Sequence, residues 1–393
     1  MTSDIRASLT AFTGEGQPTL IEERDGVPFY INAFWTARQR QAHALHEVSY
    51  RACFKPQLPA FFIERLTAPG QTVYDPFMGR GTTPIQAALM GRRAIGNDIN
   101  PLSVLLTRPR LAPPCLAEVE TRLAQIDWAD VAGGDEPLLV FYHPQTLAQI
   151  QALRAHVSQR ETAGALDSVD DWIRMVALNR LTGHSPGFFS VYSMPPNQAV
   201  SLASQQRINA RRGQTPPRRD VPALIARKSE ALLKDGRPPV AIESRLLSGP
   251  ADHSPAIAEA SVDLVVTSPP FLDVVDYAGD NWLRNWFAGL DPLDAPITRR
   301  ADPQAWGDFV HGVFRELGRI VRPGGHVAFE VGEVRGGQVA LETVVLQALA
   351  GLPFEPLAVV INAQSFTKTA NCWGVGNNAK GTNSNRIVLA RRV

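Results

Sequence analysis

The sequence predicts an α/β fold with one doubly wound, mostly parallel sheet. Two observations carry this prediction. Short apolar runs alternate with helical patterns on both sides of a long central segment, and two of these runs end in turns rich in glycine or proline. Seven strand candidates can be counted, with helices between most of them. At 393 residues, the chain has room for one domain with a large insertion.

The bulk composition excludes several classes of protein. Net charge is +1, from 39 basic and 38 acidic residues, so a nucleic-acid surface would have to be a local patch. Cys53, Cys115 and Cys372 are odd in number and widely spaced, which predicts neither a disulfide framework nor a zinc site. There is no signal region at the start and no apolar run near the roughly 18 residues of a membrane span. We therefore expect a soluble, cytoplasmic protein that needs neither a membrane nor a metal.

Changes in pattern divide the chain into four segments. An N-terminal extension, 1–53, includes a predicted helix from Ala33 to Tyr50. A compact α/β segment, 54–111, is followed by an insertion, 112–240, and regular α/β texture resumes over 241–393. The seven predicted strands are Thr72–Tyr74, Ala94–Gly96, Arg245–Ser248, Val262–Val266, His326–Val331, Leu357–Ile361 and Arg386–Leu389. The predicted helices are Phe61–Leu66, Thr83–Met90, Leu147–Val157, Val169–Leu181 and Trp306–Val321.

The first of the two turns runs from Asp75 to Thr83 and reads Asp-Pro-Phe-Met-Gly-Arg-Gly-Thr-Thr. Gly79 and Gly81 permit positive φ and a close approach of the backbone to a ligand. The helix that follows presents free amides, which favour a carboxylate. Asp98 ends the next strand, 17 residues beyond Gly81, about where an acidic residue accepts ribose hydroxyls. This pattern predicts a site for an adenosine-containing cofactor.

The second turn is Thr267-Ser-Pro-Pro-Phe271, directly after an apolar strand. Its two prolines lack N–H donors and have restricted φ, so the turn is rigid and rich in acceptors. Ser268 and the carbonyls around Pro269 are placed to accept the N–H hydrogens of an amino group, and Phe271 to stack on a flat ring. Such acceptors would help an amino nitrogen whose lone pair is delocalised into a ring. The turn predicts a pocket for a base that bears an amino group.

Together the two turns resemble those of the S-adenosylmethionine-dependent DNA amino-methyltransferases, which modify cytosine N4 or adenine N6. Gly91–Asp98 resembles the family's second motif, and Phe54–Ile63 its segment before the first strand. The resemblance implies a Rossmann-like methyltransferase with a seven-stranded, mostly parallel sheet and a helical or loop insertion, and S-adenosylmethionine as the cofactor. The implied cofactor residues are Lys55, Pro56, Asp75, Pro76, Phe77, Gly79, Gly81, Thr82, Asp98, Ile99 and Asp252. The implied catalytic residues are Ser268, Pro269, Pro270 and Phe271.

Two positions depart from the family pattern. Arg80 stands where a serine is common, so bonding to the methionine carboxylate would run through a guanidinium or bypass this residue. The expected Gly-Asp is replaced by Ser248-Gly-Pro-Ala-Asp252, and Asp252 is carried over as the acceptor for the adenine amino group. The serine form of the second turn resembles the cytosine-N4 branch. The implied activity is site-specific methylation of DNA at cytosine N4, with adenine-N6 methylation or methylation of an RNA base as alternatives.

The DNA partner is expected to lie on the insertion. From Arg207 to Arg237 there are nine basic residues against three acidic ones, and Pro216 and Pro217 predict a loop in the early part of this stretch. Arg211, Arg212, Arg218 and Arg219 are the predicted phosphate contacts. The alternative is a solvated surface loop. The resemblance also leaves open a cognate restriction enzyme as a partner, and the sequence leaves open the oligomeric state.

Overall fold

The computed structural model describes residues 4–35, 42–51, 53–128, 136–193, 196–239, 243–270, 277–291, 302–332, 339–363 and 384–393. The strands are β1 (Thr13–Gly14), β2 (Gln17–Pro18), β3 (Leu20–Arg24), β4 (Val27–Asn32), β5 (Thr72–Asp75), β6 (Arg93–Asp98), β7 (Ser244–Ser248), β8 (Val262–Thr267), β9 (Val321–Val331), β10 (Phe354–Ala363) and β11 (Ser384–Arg392). The helices are α1 (Ile5–Thr10), α2 (Gln57–Leu66), α3 (Thr82–Leu89), α4 (Leu102–Leu111), α5 (Leu116–Gln125), α6 (Pro144–Thr162), α7 (Ser168–Leu178), α8 (Leu202–Arg212), α9 (Val221–Leu233), α10 (Tyr277–Ala288), α11 (Pro303–Ile320) and α12 (Leu341–Ala348).

The main sheet has the strand order β3-β4-β10-β11-β9-β8-β5-β6-β7. Strands β7, β6, β5, β8 and β9 pair in parallel, whereas β11 is antiparallel to both β9 and β10. The strand order reverses between β5 and β8. From β5 the chain continues to β6 and β7 on one side, whereas β8 and β9 lie on the other side of β5. Open sheets of this kind bind ligands at such a switch point, beyond the carboxyl ends of the strands. The predicted α/β, Rossmann-like class is confirmed.

The sheet has nine strands rather than the predicted seven. Each of the seven predicted strands overlaps one of β5 to β11. The two further strands, β3 and β4, come from the N-terminal extension, where β4 pairs in parallel with β10. The local sequence pattern does not predict either strand, because β3 is mostly exposed and β4 contains Pro28. Their place in the sheet depends on a partner more than 300 residues away in the chain.

The prediction of a helix from Ala33 to Tyr50 is wrong over residues 33–35 and 42–50, which are not α-helical, and residues 36–41 lie outside the described residues. Within residues 42–50 the only helical element is a short 3₁₀ turn at Ala44–His46. Distant side chains supply bonds that a helix would have made internally, since Asp235 accepts from the Ala44 amide at 2.8 Å and Asn179 from the Ser49 amide at 3.1 Å. Tertiary contacts therefore hold this segment in an irregular path.

The basic stretch is also more regular than predicted. Arg207, Arg211 and Arg212 lie on α8, which ends at Gly213 with a φ of 57°. Only residues 213–220 form the expected loop, because α9 begins directly afterwards with Asp220 as its N-cap and a proline in its first turn. Pro216 therefore follows the end of α8 instead of preventing the helix.

The segment 112–240 shares a core with helices from the segments before and after it. One cluster of buried side chains joins the insertion helices α5, α6, α7 and α9 to α4 and α10. Its centre includes Trp172, which is fully buried and donates from Nε1 to the hydroxyl of Ser229 at 2.9 Å. Two further clusters cover the faces of the sheet, one under α11 and α12 and one under α2 and α3. Among the described residues, no helix is long and apolar enough to cross a bilayer.

Candidate active site

A cavity of about 300 Å³ lies at the switch point of the sheet. It opens beyond the carboxyl ends of β5, β6, β7 and β8. Ten of the predicted site residues line it, and they include members of both turns: Asp75, Pro76, Phe77, Gly79, Thr82, Asp98, Ile99, Asp252, Ser268 and Pro270. The fold therefore brings together two turns that are about 190 residues apart in the chain.

Asp98 shapes the glycine loop of the first turn. One carboxylate oxygen accepts from the amide of Gly79 at 2.8 Å and the other from the amide of Asn100 at 2.8 Å. Gly79 has a φ of 49°, which a side chain would make costly. Burial raises the pKa of Asp98, while these two backbone bonds oppose the shift. The carboxylate thus holds the loop against the floor of the cavity.

Gly81 acts in packing rather than in lining the cavity. Its φ is 77°, and a Cβ at this position would lie 2.4 Å from the side chain of Thr107 on α4. The residue lets the loop turn into α3 while touching α4. A larger side chain would push the first turn of α3 away from the cavity.

Asp75 is the buried acid of the site. Its Oδ1 accepts from the hydroxyl of Thr267 at 2.6 Å and from the amide of Phe77 at 3.0 Å. Burial raises the pKa of Asp75 to about 7, and the bonds from Thr267 and Phe77 hold it below the value that burial alone would give. The group therefore changes charge near neutral pH.

The Ser-Pro-Pro turn is fastened at both ends. Trp306 on α11 donates from Nε1 to the carbonyl of Pro270 at 3.0 Å. The hydroxyl of Ser268 is hydrogen-bonded to the carboxyl of Glu330, a buried residue of β9 whose pKa is raised by burial. Asn385 donates to Oε1 of the same carboxyl at 2.8 Å. Phe271, the predicted stacking residue, lies outside the described residues.

The other predicted residues lie elsewhere. Lys55 and Arg80 line a second cavity, which shares Tyr50 and Cys53 with the first. Pro56 caps α2, and Pro269 is buried within its turn. Arg80 points away from the loop it belongs to, since it donates to the carbonyl of Val48 at 2.6 Å. No group of three or more His, Cys, Asp or Glu among the described residues is placed to hold a metal.

The predicted phosphate contacts lie on the insertion. Arg211 and Arg212 are exposed on α8, and Arg218 and Arg219 follow in the loop before α9. The guanidinium of Arg212 lies 3.8 Å from the ring centroid of Tyr192. None of the four is among the described residues that line the first cavity.

Several lining residues escaped the sequence reasoning: Tyr50, Arg51, Cys53, Phe54, Met78, Asn100, Gly249, Pro250, Ala251 and Phe309. Most of them stand beside residues that were predicted, so widening each motif by a few positions would have found them. Phe309 gives no such signal. It reaches the site from α11, where its ring meets that of Phe77 at a centroid distance of 5.8 Å.

Comparison with known proteins supports the resemblance to DNA amino-methyltransferases that the two turns indicated. Residues 21–106 match a family model described as DNA methylase, of the N6 and N4 type. Three relatives are named Type II methyltransferases. M.MjaII of Methanocaldococcus jannaschii is 39% identical over 74 residues, which cover 19% of this chain and 14% of that protein. M.BsoBI of Geobacillus stearothermophilus is 36% identical over 92 residues, 23% of this chain and 18% of that protein.

The third relative, M.MvaI of Kocuria varians, is 28% identical over 103 residues, 25% of this chain and 22% of that protein. The chain thus matches less than a quarter of the length of each of these relatives. The family model covers the segment that contains the glycine loop and Asp98. The family model and these relatives together support the assignment of this chain to the DNA amino-methyltransferase family.

Proposed function

We propose that this protein transfers a methyl group from S-adenosylmethionine to an exocyclic amino group of a base in DNA. One observation carries the proposal: the glycine loop with Asp98 and the Ser-Pro-Pro turn line the same cavity. A cofactor turn and an acceptor-rich turn have to meet for this chemistry, since the donor and the accepting nitrogen must lie in contact. The matched family and relatives add support from the sequence.

The cavity suits the proposed cofactor. Asp98 lines it while two donors, the amides of Gly79 and Asn100, occupy part of its carboxylate. A carboxylate has about four acceptor positions, so capacity remains for a ribose hydroxyl. Asp75, which lines the cavity and is bonded to Thr267 of the second turn, would offer a negative charge to the positive methionine end when it is ionised. Asp252 also lines the cavity and is the proposed acceptor for the adenine amino group. The cofactor would supply an electrophilic methyl group.

The residues of the second turn would activate the base. A base must leave the helix stack to enter such a cavity. The hydroxyl of Ser268, whose hydrogen is directed to Glu330, presents its lone pairs to the amino group. Accepting an N–H hydrogen there draws the nitrogen toward tetrahedral geometry and aims its lone pair at the methyl group. The bond from Trp306 to Pro270 keeps the turn from shifting as the base enters.

We propose cytosine N4 as the target atom, on the serine in the second turn. Adenine N6 and an amino group in RNA are the alternatives. Two groups of residues would hold the nucleic acid: the four arginines on and after α8, and Phe271 as the stacking partner of the extracted base. A cognate restriction enzyme is a further proposed partner, in keeping with the names of the relatives.

The decisive experiment measures methyl transfer from labelled S-adenosylmethionine. Purified protein is incubated with duplex DNA of mixed sequence or with RNA, and digested products are identified as N4-methylcytosine or N6-methyladenine. Ser268→Ala serves as the control for chemistry at this site. We expect N4-methylcytosine in DNA, at one recurring sequence context. Product only at adenine would overturn the choice of base, and product only in RNA would overturn the choice of substrate.

A further inference from the structure

The second cavity is a separate, strongly basic chamber beside the first. Its volume is about 370 Å³, and Tyr50 and Cys53 form the wall that the two cavities share. Three parts of the chain meet there: the irregular segment before α2, the glycine loop through Arg80, and the insertion through Asn197 and Lys228. The sequence pattern gave no sign of it, because these parts are far apart in the chain.

Four cations line this chamber: Lys55, Arg80, Arg180 and Lys228. Glu47 is the one carboxylate among its described lining residues, and it pairs with Lys228 at 3.3 Å. The described lining residues therefore carry a formal excess of three positive charges. Cations that are largely removed from water and outnumber the anions beside them raise the free energy of the folded protein. An anion bound among them would lower it.

In the part of the chain that the structure describes, the hydrogen bonds of the two guanidinium groups go to neutral partners, although the Glu47 carboxylate also interacts electrostatically with Arg180. Arg80 is buried and donates to the carbonyls of Val48 and His46 and to the hydroxyl of Thr82. Arg180 donates to the carbonyl of Asn179 at 2.8 Å and lies 4.0 Å from the ring centroid of Phe188. Burial and the neighbouring guanidinium lower the pKa of Lys55 and likewise that of Lys228. A bound anion would favour the charged form of both lysines.

We propose that this chamber binds a backbone phosphate of the nucleic acid whose base enters the first cavity. This rests on the proposed function and adds the contact that would position the strand. Guanidinium and ammonium groups together are the side chains that hold phosphate in proteins. The shared lining residues Tyr50 and Cys53 place the chamber directly beside the first cavity, and the insertion contributes Asn197 and Lys228 to its lining. A phosphate held here would fix the register of the strand while its base is turned out.

The experiment removes in turn each member of the ion pair between Lys228 and Glu47, so that the two variants change the charge of the chamber in opposite directions. Lys228→Gln removes a cation from the chamber, and Glu47→Gln removes the carboxylate. Binding to a fluorescent duplex of mixed sequence is measured by anisotropy over a range of KCl concentrations. We expect Lys228→Gln to weaken binding and to flatten the plot of log K against log salt by about 0.9, the value of one phosphate contact. Glu47→Gln should tighten binding.

Two controls separate this site from general charge and from folding. Arg93→Gln removes an exposed cation at the start of β6, at the opposite end of the strands, and should leave the slope unchanged. Lys228→Arg should restore the slope that Lys228→Gln loses, and Lys55→Gln tests the chamber again if Lys228→Gln does not fold. Calorimetric affinity for S-adenosylmethionine should be the same in Lys228→Gln and the parent protein.

An unchanged slope in both the Lys228→Gln and Lys55→Gln variants overturns the phosphate site. So does a loss of cofactor affinity with DNA binding intact, since the chamber would then serve the cofactor's carboxylate. Failure of the wider function is distinct: a parent protein that binds DNA with a slope sensitive to Lys228 but transfers no methyl group keeps the phosphate site and loses the proposed reaction.

Discussion

The hydroxyl of Thr267 donates a 2.6 Å hydrogen bond to Oδ1 of Asp75. Each residue belongs to one of the two turns, and each ends its strand, β8 or β5. A second hydrogen bond joins the same two segments, since the hydroxyl of Thr83, at the start of α3, donates to the carbonyl of Val266 at 3.0 Å. The relative position of the two turns is therefore set by buried polar bonds as well as by strand pairing.

Removing the Thr267 hydroxyl should destabilise the protein. Thr267→Val keeps the shape of the side chain but leaves the buried Asp75 without one of its donors, which costs about 1–3 kcal/mol. Urea denaturation should find a larger loss at pH 8 than at pH 5, because the bond favours the ionised carboxylate. Thr72→Val, on the neighbouring strand β5, is the matched control, since Asp263 binds the backbone amide of Thr72. Equal losses in the two variants would argue against a special role for the Thr267 bond.

Cofactor affinity should rise with pH through neutrality. Burial raises the pKa of Asp75 to about 7 in the folded protein, and a positive ligand beside it favours the ionised form. The carboxylate is then about one-tenth ionised at pH 6 and nine-tenths at pH 8, so S-adenosylmethionine should bind roughly tenfold more tightly at pH 8. Calorimetry on Asp75→Asn should give weaker binding that no longer depends on pH. Persistence of the full dependence in that variant would assign it to another group.

Asp98 should matter for both the loop and the cofactor. Asp98→Ala removes the acceptor for the amides of Gly79 and Asn100 and the proposed acceptor for ribose. We expect a loss of about 1.5–3 kcal/mol in S-adenosylmethionine binding, which calorimetry measures directly. Asp98→Asn keeps the size and one acceptor oxygen and should lose less. Binding at parental strength in Asp98→Ala would remove this residue from the cofactor site.

Ser268 and Glu330 should act as a pair in turnover. Ser268→Ala removes the proposed acceptor for the base and should cost about 1–3 kcal/mol of transition-state stabilisation, with cofactor affinity intact. An ionised Glu330 carboxylate can only accept the hydrogen bond from Ser268. In Glu330→Gln the amide can instead donate to the Ser268 oxygen, so that the hydroxyl hydrogen points elsewhere. This variant should lower kcat and change its pH profile, whereas Glu316→Gln on α11 should do neither. Additive losses in the double variant would show that the two residues act separately.

The arginines of α8 and the following loop should bind phosphates of the DNA backbone. Replacing Arg211, Arg212, Arg218 and Arg219 with alanine should weaken DNA binding broadly and flatten its salt dependence by up to about 0.9 for each phosphate that is no longer bound. The matched control removes four exposed arginines at other places on the sheet: Arg24, Arg93, Arg245 and Arg391. An identical salt slope in both quadruple variants would mean that α8 and its loop face solvent in the complex.

The sequence alone determined the strands from β5 to β11 and the two turns of the site. Apolar runs of strand length are local signals, and each of these strands carries one, closed by glycine or proline from β5 to β9. A turn that follows a parallel strand must lie at the carboxyl edge of the sheet. The meeting of Asp75, Asp98 and Ser268 in one cavity follows from that edge once their strands are neighbours.

The tertiary structure alone decided which strands complete the sheet and where the basic side chains point. β4 is a strand because β10 offers it an edge, and a proline within it masks the local signal. Arg80 donates to the carbonyl of Val48, a contact that the spacing of residues along the chain does not predict. Glu330 reaches Ser268 from the adjacent strand, and Lys228 reaches the second cavity from the insertion. Each of these contacts joins residues far apart in sequence, so its free energy depends on packing and charge that exist only after the chain has folded.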